Sequence, residues 1–405
     1  MKRTAYTFAA ALMLLFVTLG AQARGLRRCT PAAAGMNASK LAQVDREIDA
    51  AIAEGSIPGA VIAVVRDKRI VYLKAYGNRQ VVPDTVAMTT ETMFDLASLS
   101  KCVGTTLAFL QLVENGKVRL SDEVRRYIPD FKPWNDPQTG REVHICIKDL
   151  MTHSSGLAAY INVDNYVRRY GPASPDALVC HIATEVRRNF EPGTGYLYSC
   201  LNYITLQNIL ERITGERLCD YVQTNVFDVL GLQHSCYCPK DRPALLPLVA
   251  PTEVQKDGTP LKGEVHDPTA RIVNCGNSGN AGVFSTAEDL AVIAAAIMNG
   301  GAIADARILS PATVRAMTTV QNGNGRALGW DIASTSSGLK GDLFNPERTI
   351  CHTGYTGTSM VVDMESRTAV ILLANRVHPA DKGNIANLRA RVSNIVAGAI
   401  ENWTK

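Results

Sequence analysis

The sequence predicts an α/β (α+β) protein in which an antiparallel sheet is flanked by N- and C-terminal helices and carries a mostly helical inserted subdomain. Three observations predict this fold. Apolar, strand-like runs lie near both ends of the chain, a helical pattern accompanies each pair of runs, and the long region between them is helical and loop-rich. We assign residues 24–97 and 275–405 to the α/β part and residues 98–274 to the mostly helical part.

The N-terminal half of the sheet is predicted as a helix followed by a strand hairpin. Residues 41–53 have apolar side chains at helical spacing, and Gly55 follows as a stop signal. Residues 59–65 and 70–76 are apolar runs joined by a short polar turn, which predicts two paired strands.

The C-terminal half mirrors this arrangement. Residues 359–364 and 368–374 predict two strands around a short turn, and residues 384–401 predict a terminal helix. Packing both terminal helices on one antiparallel sheet, built from both chain ends, is the most economical assembly. Residues 239–268 contain many prolines and no clear period, so we expect an irregular connection there.

The first residues have the layout of a cleavable secretory signal. Lys2 and Arg3 precede an apolar run over residues 8–19 and an Ala-Gln-Ala tripeptide. That run is shorter than the roughly 18–20 residues a membrane span needs. We therefore predict a signal peptide over residues 1–23, a secreted or periplasmic protein and no integral membrane segment after cleavage.

Composition bounds the remaining function classes. The 405 residues are 46% hydrophobic and 20% charged, with a net charge of +4, and no basic run indicates a nucleic-acid partner. Ten cysteines permit disulfides in an oxidising compartment, but their pairing stays open. His234, Cys236 and Cys238 lack the spacing of a zinc motif, so we predict neither a metal site nor a cofactor.

Ser98 and Lys101 form a candidate catalytic pair. They lie at i and i+3 where a long apolar helix begins, so their side chains share one helical face. A serine hydroxyl needs a base, and a desolvated lysine with a lowered pKa can serve. The same spacing recurs at Ser337 and Lys340, among Ser and Gly residues that predict a loop, and we interpret that copy as accidental.

Two downstream motifs complete a recognisable set. They comprise Tyr198, Cys200 and Asn202 before an apolar helix, and His352, Thr353, Gly354 and Tyr355 before a strand. In order and spacing the three motifs resemble the serine β-lactamase and penicillin-binding protein superfamily, with its Ser-x-x-Lys, Tyr-x-Asn and Lys/His-Thr-Gly signatures. The stretches around His153, His266 and Gly282 are similar to the class C-like branch, which includes esterases, D-amino-acid peptidases and secreted cell-wall amidases.

The resemblance implies a β-lactamase/transpeptidase-like fold and roles for particular residues. Ser98 would be the acylated nucleophile, Lys101 the neutral amine that takes or relays its proton, and Tyr198 the phenol that exchanges protons with leaving group and water. The backbone N–H groups of Ser98 and Tyr355 would form an oxyanion hole. Substrate-binding positions would be Cys200, His352, Thr353, Gly354 and Tyr355. We interpret His153 and His266 as structural.

Two departures from the pattern bear on specificity. Cys200 stands where the second motif has Asn, and Asn202 lies too far along to be assumed a substitute. A thiol donates weakly, which puts β-lactam or peptide specificity in doubt, although a small buried side chain remains the simplest interpretation of Cys200. His352 replaces the commoner Lys and is mostly neutral near pH 7, which favours less anionic substrates.

The sequence therefore predicts an exported, metal-independent serine hydrolase that acts through an acyl-enzyme on an amide or ester. A peptidoglycan-derived amide is the leading substrate, so the expected partner is a small molecule or a cell-wall fragment. A small ester and a β-lactam are the alternatives. An alternative of another class is a penicillin-recognising sensor or scaffold without turnover, suggested by Cys200.

Overall fold

The computed structural model describes residues 25–403, so the signal peptide predicted over residues 1–23 lies outside the described residues. Along residues 25–403, no helix is both long enough and apolar enough to cross a bilayer.

The main sheet has seven strands in the order β1-β3-β2-β14-β13-β12, with β4 pairing β3 at its far end. All its pairings are antiparallel except that of β1 with β3. The strands are β1 Arg27–Arg28, β2 Gly59–Arg66, β3 Arg69–Gln80, β4 Val86–Ala87, β5 Phe94–Asp95, β6 Trp134–Asn135, β7 Glu142–Val143, β8 Cys236–Tyr237, β9 Val283–Ser285, β10 Ala302–Ile303, β11 Ala306–Arg307, β12 Thr349–Thr353, β13 Ser359–Asp363 and β14 Thr368–Ala374.

Helices cover both faces of this sheet and form most of the regular secondary structure in residues 98–274, the rest of which is mainly loops. The α-helices are α1 Ala38–Leu41, α2 Gln43–Ala53, α3 Leu107–Glu114, α4 Ile147–Met151, α5 Val163–Tyr170, α6 Pro175–Thr184, α7 Cys200–Thr214, α8 Leu218–Val222, α9 Asp228–Leu230, α10 Ala287–Met298, α11 Pro311–Met317 and α12 Ala386–Gly398. Wider π-helical turns occur at Lys101–Thr106, Gln223–Phe227 and Thr269–Val273. Tight 3₁₀ turns occur at Ala32–Ala34, Val124–Arg126, Pro239–Asp241, Leu246–Leu248 and Ser337–Lys340.

Strand β2 shows why the sheet forms where the sequence predicts it. Every residue of β2 is buried, because the strand lies between two helical layers. Ile62 and Val64 belong to the core that includes α2 and α12, whereas Val61 and Ala63 belong to the larger core that includes α10. The predicted antiparallel sheet with terminal helices is confirmed, and β3 extends four residues beyond its predicted end at Tyr76.

A small sheet that the sequence analysis did not predict positions the nucleophile. Strand β9 pairs antiparallel with β5 on one side and with β8 on the other. Ser98 follows β5 by three residues, and Asn280 precedes β9 by three residues. Pairing of β5 with β9 therefore brings Ser98 and Asn280 into one neighbourhood, although 182 positions separate them along the chain.

Candidate active site

The structure places Ser98 and Lys101 in direct contact. The Lys101 ammonium or amine nitrogen, Nζ, lies 2.9 Å from the Ser98 hydroxyl oxygen. Lys101 is fully buried in the first π-helical turn, whereas Ser98 is partly exposed at the mouth of a cavity. The spacing that places both side chains on one helical face thus produces a nucleophile within hydrogen-bond reach of an amine.

Asp95 fixes the turn that presents Ser98. Its buried carboxylate accepts a hydrogen bond from the Ala97 backbone N–H at 2.8 Å and another from the His266 N–H at 2.7 Å. Ala97 has a φ of 46°, so the chain turns sharply just before the nucleophile. Burial raises the pKa of Asp95, and the two N–H donors oppose that rise. Sequence reasoning missed Asp95; an Asp two residues before a turn, the pattern of an Asx turn, was the available signal.

The base candidate, Lys101, is held by three neighbours besides Ser98. Its Nζ donates to the Asn280 carbonyl oxygen at 2.8 Å and lies 3.7 Å from the Cys200 sulfur and 5.1 Å from the Tyr198 ring centre. Burial lowers the pKa of Lys101, but its electrostatic interactions with Cys200 and Tyr198 raise that pKa by a larger amount, so the net pKa lies above its ordinary value. The predicted lowered pKa at Lys101 is therefore wrong: burial is outweighed by its two partners.

Tyr198 lies two residues before α7, with its hydroxyl buried beside the Ser98–Lys101 pair. Burial raises the pKa of Tyr198, and the Lys101 charge offsets part of that rise. Ser98 and Lys101 both lower the pKa of Tyr198, although within the described residues its hydroxyl has no hydrogen-bond partner of ordinary geometry. The Tyr198 ring packs on the His153 ring with centres 4.3 Å apart.

His153 has the structural role that the sequence suggested. Its Nδ1 accepts from the Ser199 N–H at 3.1 Å and lies 3.1 Å from the Asn202 side-chain amide. Burial, with help from nearby cations, holds the pKa of His153 well below its usual range, so the ring is neutral. The Asn202 carbonyl oxygen accepts from Ser155 at 2.6 Å. Asn202 is thus committed to this buried network and does not replace the missing amide at Cys200.

Cys200 occupies the first position of α7 and contacts Lys101 through its sulfur. The residue is half-buried, so the expectation of a buried side chain is only partly correct. At this position it supplies no amide group to a substrate.

His352 and Thr353 end strand β12 at the cavity wall. The His352 Nδ1 donates to the Thr353 carbonyl oxygen at 2.8 Å, which leaves Nε2 as the unprotonated nitrogen of a neutral ring. Burial, together with Arg326 and Lys101, holds the pKa of His352 well below its usual range. His352 therefore carries no positive charge near pH 7.

Gly354 and Tyr355 follow β12 and differ sharply in environment. A Cβ on Gly354 would lie 2.2 Å from the Leu96 carbonyl oxygen, so the glycine is required by the protein's own packing behind Ser98. The Tyr355 side chain is 58% exposed, and its ring stacks on His266 with centres 5.7 Å apart. Within residues 25–403, neither the Tyr355 N–H nor the Ser98 N–H donates to another protein group. Both are available as oxyanion-hole donors.

Arg326 is the functional candidate that the sequence analysis missed most completely. Its guanidinium is buried in the cavity wall, 3.2 Å from the Asp331 carboxylate and 5.9 Å from the Tyr196 ring centre. No motif marked Arg326, because it comes from a loop distant in sequence from all three signatures.

The resulting cavity has a volume of about 250 Å³. It is lined by Ser98, Tyr196, Tyr198, Arg326, Asp331, Ser336, Leu339, His352, Thr353 and Tyr355. Lys101 and Cys200 are not among these lining residues, and Lys101 is fully buried. In the described part of the chain, no group of three or more His, Cys, Asp or Glu side chains is arranged to hold a metal ion. The cavity therefore brings together a serine, an amine, a phenol and two free backbone donors, the set needed for acyl transfer.

The second Ser-x-x-Lys copy has no such surroundings. Residues Ser337–Lys340 form a 3₁₀ turn, so the prediction of a plain loop there is wrong. The Lys340 Nζ donates to the Ile332 and Pro346 carbonyls, and the Ser337 hydroxyl donates to the Ser334 carbonyl at 2.8 Å. In this 3₁₀ turn the Ser337 and Lys340 side chains bond to backbone carbonyls and not to each other.

Comparison with known proteins finds one family model and several named relatives. A family model described as Beta-lactamase matches residues 44–394. A relative from Escherichia coli (strain K12), named "Putative D-alanyl-D-alanine carboxypeptidase", is 31% identical over 376 residues, which cover 87% of this chain and 86% of the relative.

Two solved structures show the same fold. EstCE1, described as a hydrolase with promiscuous acyltransferase activity, has a TM-score of 0.71 at 24% identity, covering 89% of this chain and 99% of its own. An octameric penicillin-binding protein homologue from Pyrococcus abyssi has a TM-score of 0.66 at 20% identity, covering 88% of this chain and 76% of its own.

Proposed function

Because the chain belongs to the Beta-lactamase family and is a serine hydrolase, we propose that it is an exported enzyme that cleaves an amide through an acyl-enzyme on Ser98. The proposed substrate is a peptidoglycan-derived peptide that ends in D-alanyl-D-alanine. The carboxypeptidase name of the Escherichia coli relative supports this substrate class. The signal-like sequence of residues 1–23 supports export.

One observation carries the proposal. The Ser98 hydroxyl lies 2.9 Å from the nitrogen of a fully buried Lys101, and it opens into a cavity. The Lys101 nitrogen contacts the Asn280 carbonyl and still reaches the Ser98 hydroxyl, and acyl transfer from serine requires a base within such hydrogen-bond reach.

In the first step, the Ser98 oxygen attacks the substrate carbonyl carbon and its proton passes to the Lys101–Tyr198 pair. Negative charge develops on the carbonyl oxygen, where the Ser98 and Tyr355 N–H groups donate to it. Since both pKa values of the pair lie above their ordinary range, the pair must first release a proton to act as a base.

In the second step, the tetrahedral intermediate collapses. The C–N bond breaks, the pair returns the proton to the leaving amine, and the acyl group remains esterified to Ser98. Water then enters, loses a proton to the same pair and attacks the ester. The free acid leaves, and the Ser98 hydroxyl is restored with that proton.

The test is steady-state turnover of two substrates by the mature protein. D-alanine release from an acyl-D-alanyl-D-alanine peptide and p-nitrophenol release from a p-nitrophenyl ester are followed for the wild type, Ser98→Ala and Ser337→Ala. We expect turnover in the wild type and in Ser337→Ala, and none in Ser98→Ala. Ser337 is the matched control because it heads the other Ser-x-x-Lys copy.

Two other outcomes of this assay would change the proposed function. Ester turnover without peptide cleavage would overturn the peptidase assignment and leave an esterase. A single stoichiometric burst without further turnover would overturn the hydrolase and favour the sensor.

Cys200 favours a second candidate function for the protein, that of an ester-selective hydrolase or acyl-transfer enzyme. The thiol beside Lys101 offers no amide to hold the acyl-amide group of a peptide or β-lactam. An ester substrate needs no such contact. Inclusion of a simple alcohol as acceptor in the ester assay would detect acyl transfer as a new ester product.

A further inference from the structure

Two cysteines without a part in the proposed mechanism lie at one cavity beside the small sheet. Cys238 directly follows β8, and Cys275 lies two residues after the third π-helical turn. Both line a cavity of about 330 Å³, and both are free thiols in this structure. The fold thus brings together two thiols that are 37 positions apart along the chain.

The Cys238 side chain lies against the main chain around Cys275. Its Sγ is 3.9 Å from the Cys275 carbonyl oxygen. A Cβ on Gly276 would lie 2.7 Å from the same sulfur, so glycine leaves the room that this sulfur occupies. A disulfide joins residues whose Cα atoms are about 4–7 Å apart. Because the Cys238 sulfur already reaches the main chain of its neighbour, rotation of the Cys275 side chain is the main movement that bond formation requires.

The backbone at both cysteines has an unusual conformation. Cys238 has a φ of 48° and Cys275 a φ of 53°, in the left-handed region that residues with a side chain rarely adopt. Such a conformation costs free energy and persists where the surrounding structure fixes it. Beside Cys275, the Gly276 N–H donates to the Ala270 carbonyl at 2.8 Å. The backbone therefore holds both thiols at the same cavity.

Two other cysteines of this region are poorer partners for Cys238. Cys236 is fully buried, and the Cys219 sulfur contacts the carboxylate of its own neighbour Asp220 at 3.6 Å. Burial raises the pKa of the Cys236 and Cys219 thiols to about 12, so neither readily forms the reactive thiolate near pH 7. Burial also raises the pKa of Cys238, but Cys275 is exposed, so a reagent in solution reaches Cys275 first.

We propose that Cys238 and Cys275 form a disulfide in the exported protein. Asn280 lies five residues after Cys275, and its carbonyl oxygen accepts from the Lys101 Nζ at 2.8 Å. The bond joins the end of β8 to the segment that carries this acceptor, and so holds the acceptor in place. The inference rests on the proposed export, because a reducing cytosol keeps such thiols reduced.

The oxidant is an external disulfide, either a small molecule such as oxidised glutathione or a protein. The Cys275 thiolate attacks one sulfur of this disulfide and releases the other as a thiol, which leaves a mixed disulfide on Cys275. The Cys238 thiolate then attacks the Cys275 sulfur, and the second external thiol leaves. Two protein thiols are thus oxidised, one external disulfide is reduced to two thiols, and the two protein thiol protons end on those products.

The test maps the bond directly in the mature protein. The chain is incubated in a glutathione buffer that contains both the oxidised and the reduced form, quenched with acid and alkylated in denaturant. It is then digested without reduction and analysed by tandem mass spectrometry. We expect a linked pair of peptides that contain Cys238 and Cys275, which dithiothreitol removes. Alkylation of both thiols in the folded, oxidised protein, or a link from Cys238 to Cys219 or Cys236, would overturn the proposal.

Thermal unfolding measures whether the bond stabilises the fold. Cys275→Ser should lower the Tm of the oxidised protein by roughly 3–8 °C, as expected for loss of a disulfide that closes a loop. Dithiothreitol should lower the wild-type Tm by a similar amount and leave the variant unchanged. The matched control is Cys180→Ser, because Cys180 is exposed on α6 and does not line this cavity. A wild-type Tm that does not respond to dithiothreitol would contradict the proposed bond.

Failure of the proposed export has a different signature. The full chain is expressed in a bacterium, and the periplasmic and cytosolic fractions are analysed by the same peptide mapping. If the protein stays in the cytosol with residues 1–23 attached, while the linked peptides still form in the glutathione buffer, export is overturned and the pairing stands. Neither measurement requires turnover by Ser98, so loss of the hydrolase assignment would leave both results unchanged.

Discussion

The two Ser-x-x-Lys copies of this chain have the same spacing and opposite surroundings. Ser98 and Lys101 lie 2.9 Å apart at a cavity, whereas Lys340 directs its nitrogen to two backbone carbonyls and Ser337 donates to a third. Both lysines are buried. From this difference we infer that a buried lysine can act as a base for a nearby serine only when its hydrogen bonds leave one position for the hydroxyl.

The largest expected difference between the two copies is the loss of activity when each lysine is replaced. Lys101→Met should lower kcat/KM by roughly 10²- to 10⁴-fold, the usual contribution of a general base. Lys340→Met should leave kcat/KM per folded molecule within about twofold. Both kcat/KM values are measured with a p-nitrophenyl ester, and circular dichroism and gel filtration determine the amount of folded protein. Equal losses in the two variants would show that Lys101 acts through structure alone.

The pH profile tests the protonation state of the catalytic pair. The pKa values of Lys101 and Tyr198 are both raised, so at pH 6 the pair holds its proton and the base form is scarce. We expect kcat/KM for a neutral ester to rise about tenfold per pH unit above pH 7, as for a single required deprotonation. A plateau already reached at pH 6 would contradict a raised pKa. Lys340→Met should keep the wild-type profile.

Removal of Lys340 should lower the stability of the protein rather than its activity. Lys340→Met leaves the Ile332 and Pro346 carbonyls without their donor and should lower the free energy of unfolding by about 1–3 kcal/mol. The measurement is urea denaturation at pH 7. If Lys340→Met is as stable as the wild type, Lys340 contributes nothing through its carbonyl contacts and our account of the second copy is wrong.

The smallest expected effect concerns Cys200. Cys200→Asn restores a side-chain amide next to Lys101 and should raise peptide hydrolysis relative to ester hydrolysis by roughly two- to tenfold, the worth of one added neutral hydrogen bond. The readout is the ratio of the two kcat/KM values. Cys200→Ser, which has a similar size and no amide, is the matched control. A ratio that rises equally in both variants would assign the effect to loss of the thiol.

How much the sequence predicts depends on how local the cause is. Strand β2 was predictable because its continuous apolar run reports burial on both faces, and the Ser98–Lys101 contact was predictable because helical spacing fixes it. The pKa direction at Lys101 was not predictable, since it depends on Cys200 and Tyr198, which approach only in three dimensions.

Arg326 illustrates the same limit for the cavity wall. Its chemistry depends on Asp331, on a neutral His352 and on a shared cavity, and none of these relations has a spacing signature. Asp95 was predictable only in part. Its local turn has a sequence pattern, but its hydrogen bond from the His266 N–H joins segments 171 positions apart. The motifs located the candidate catalytic residues, but the charged groups around them could be identified only from the fold.

The most direct test of the central claim is to map where a fluorophosphonate attaches. The mature wild-type protein is labelled, digested and analysed by tandem mass spectrometry, with Ser98→Ala and Ser337→Ala in parallel. We predict one adduct on the Ser98 peptide, present in wild type and Ser337→Ala and absent in Ser98→Ala. An adduct on Ser337, or no adduct on Ser98 in the folded wild type, would contradict the assignment of Ser98 as the nucleophile.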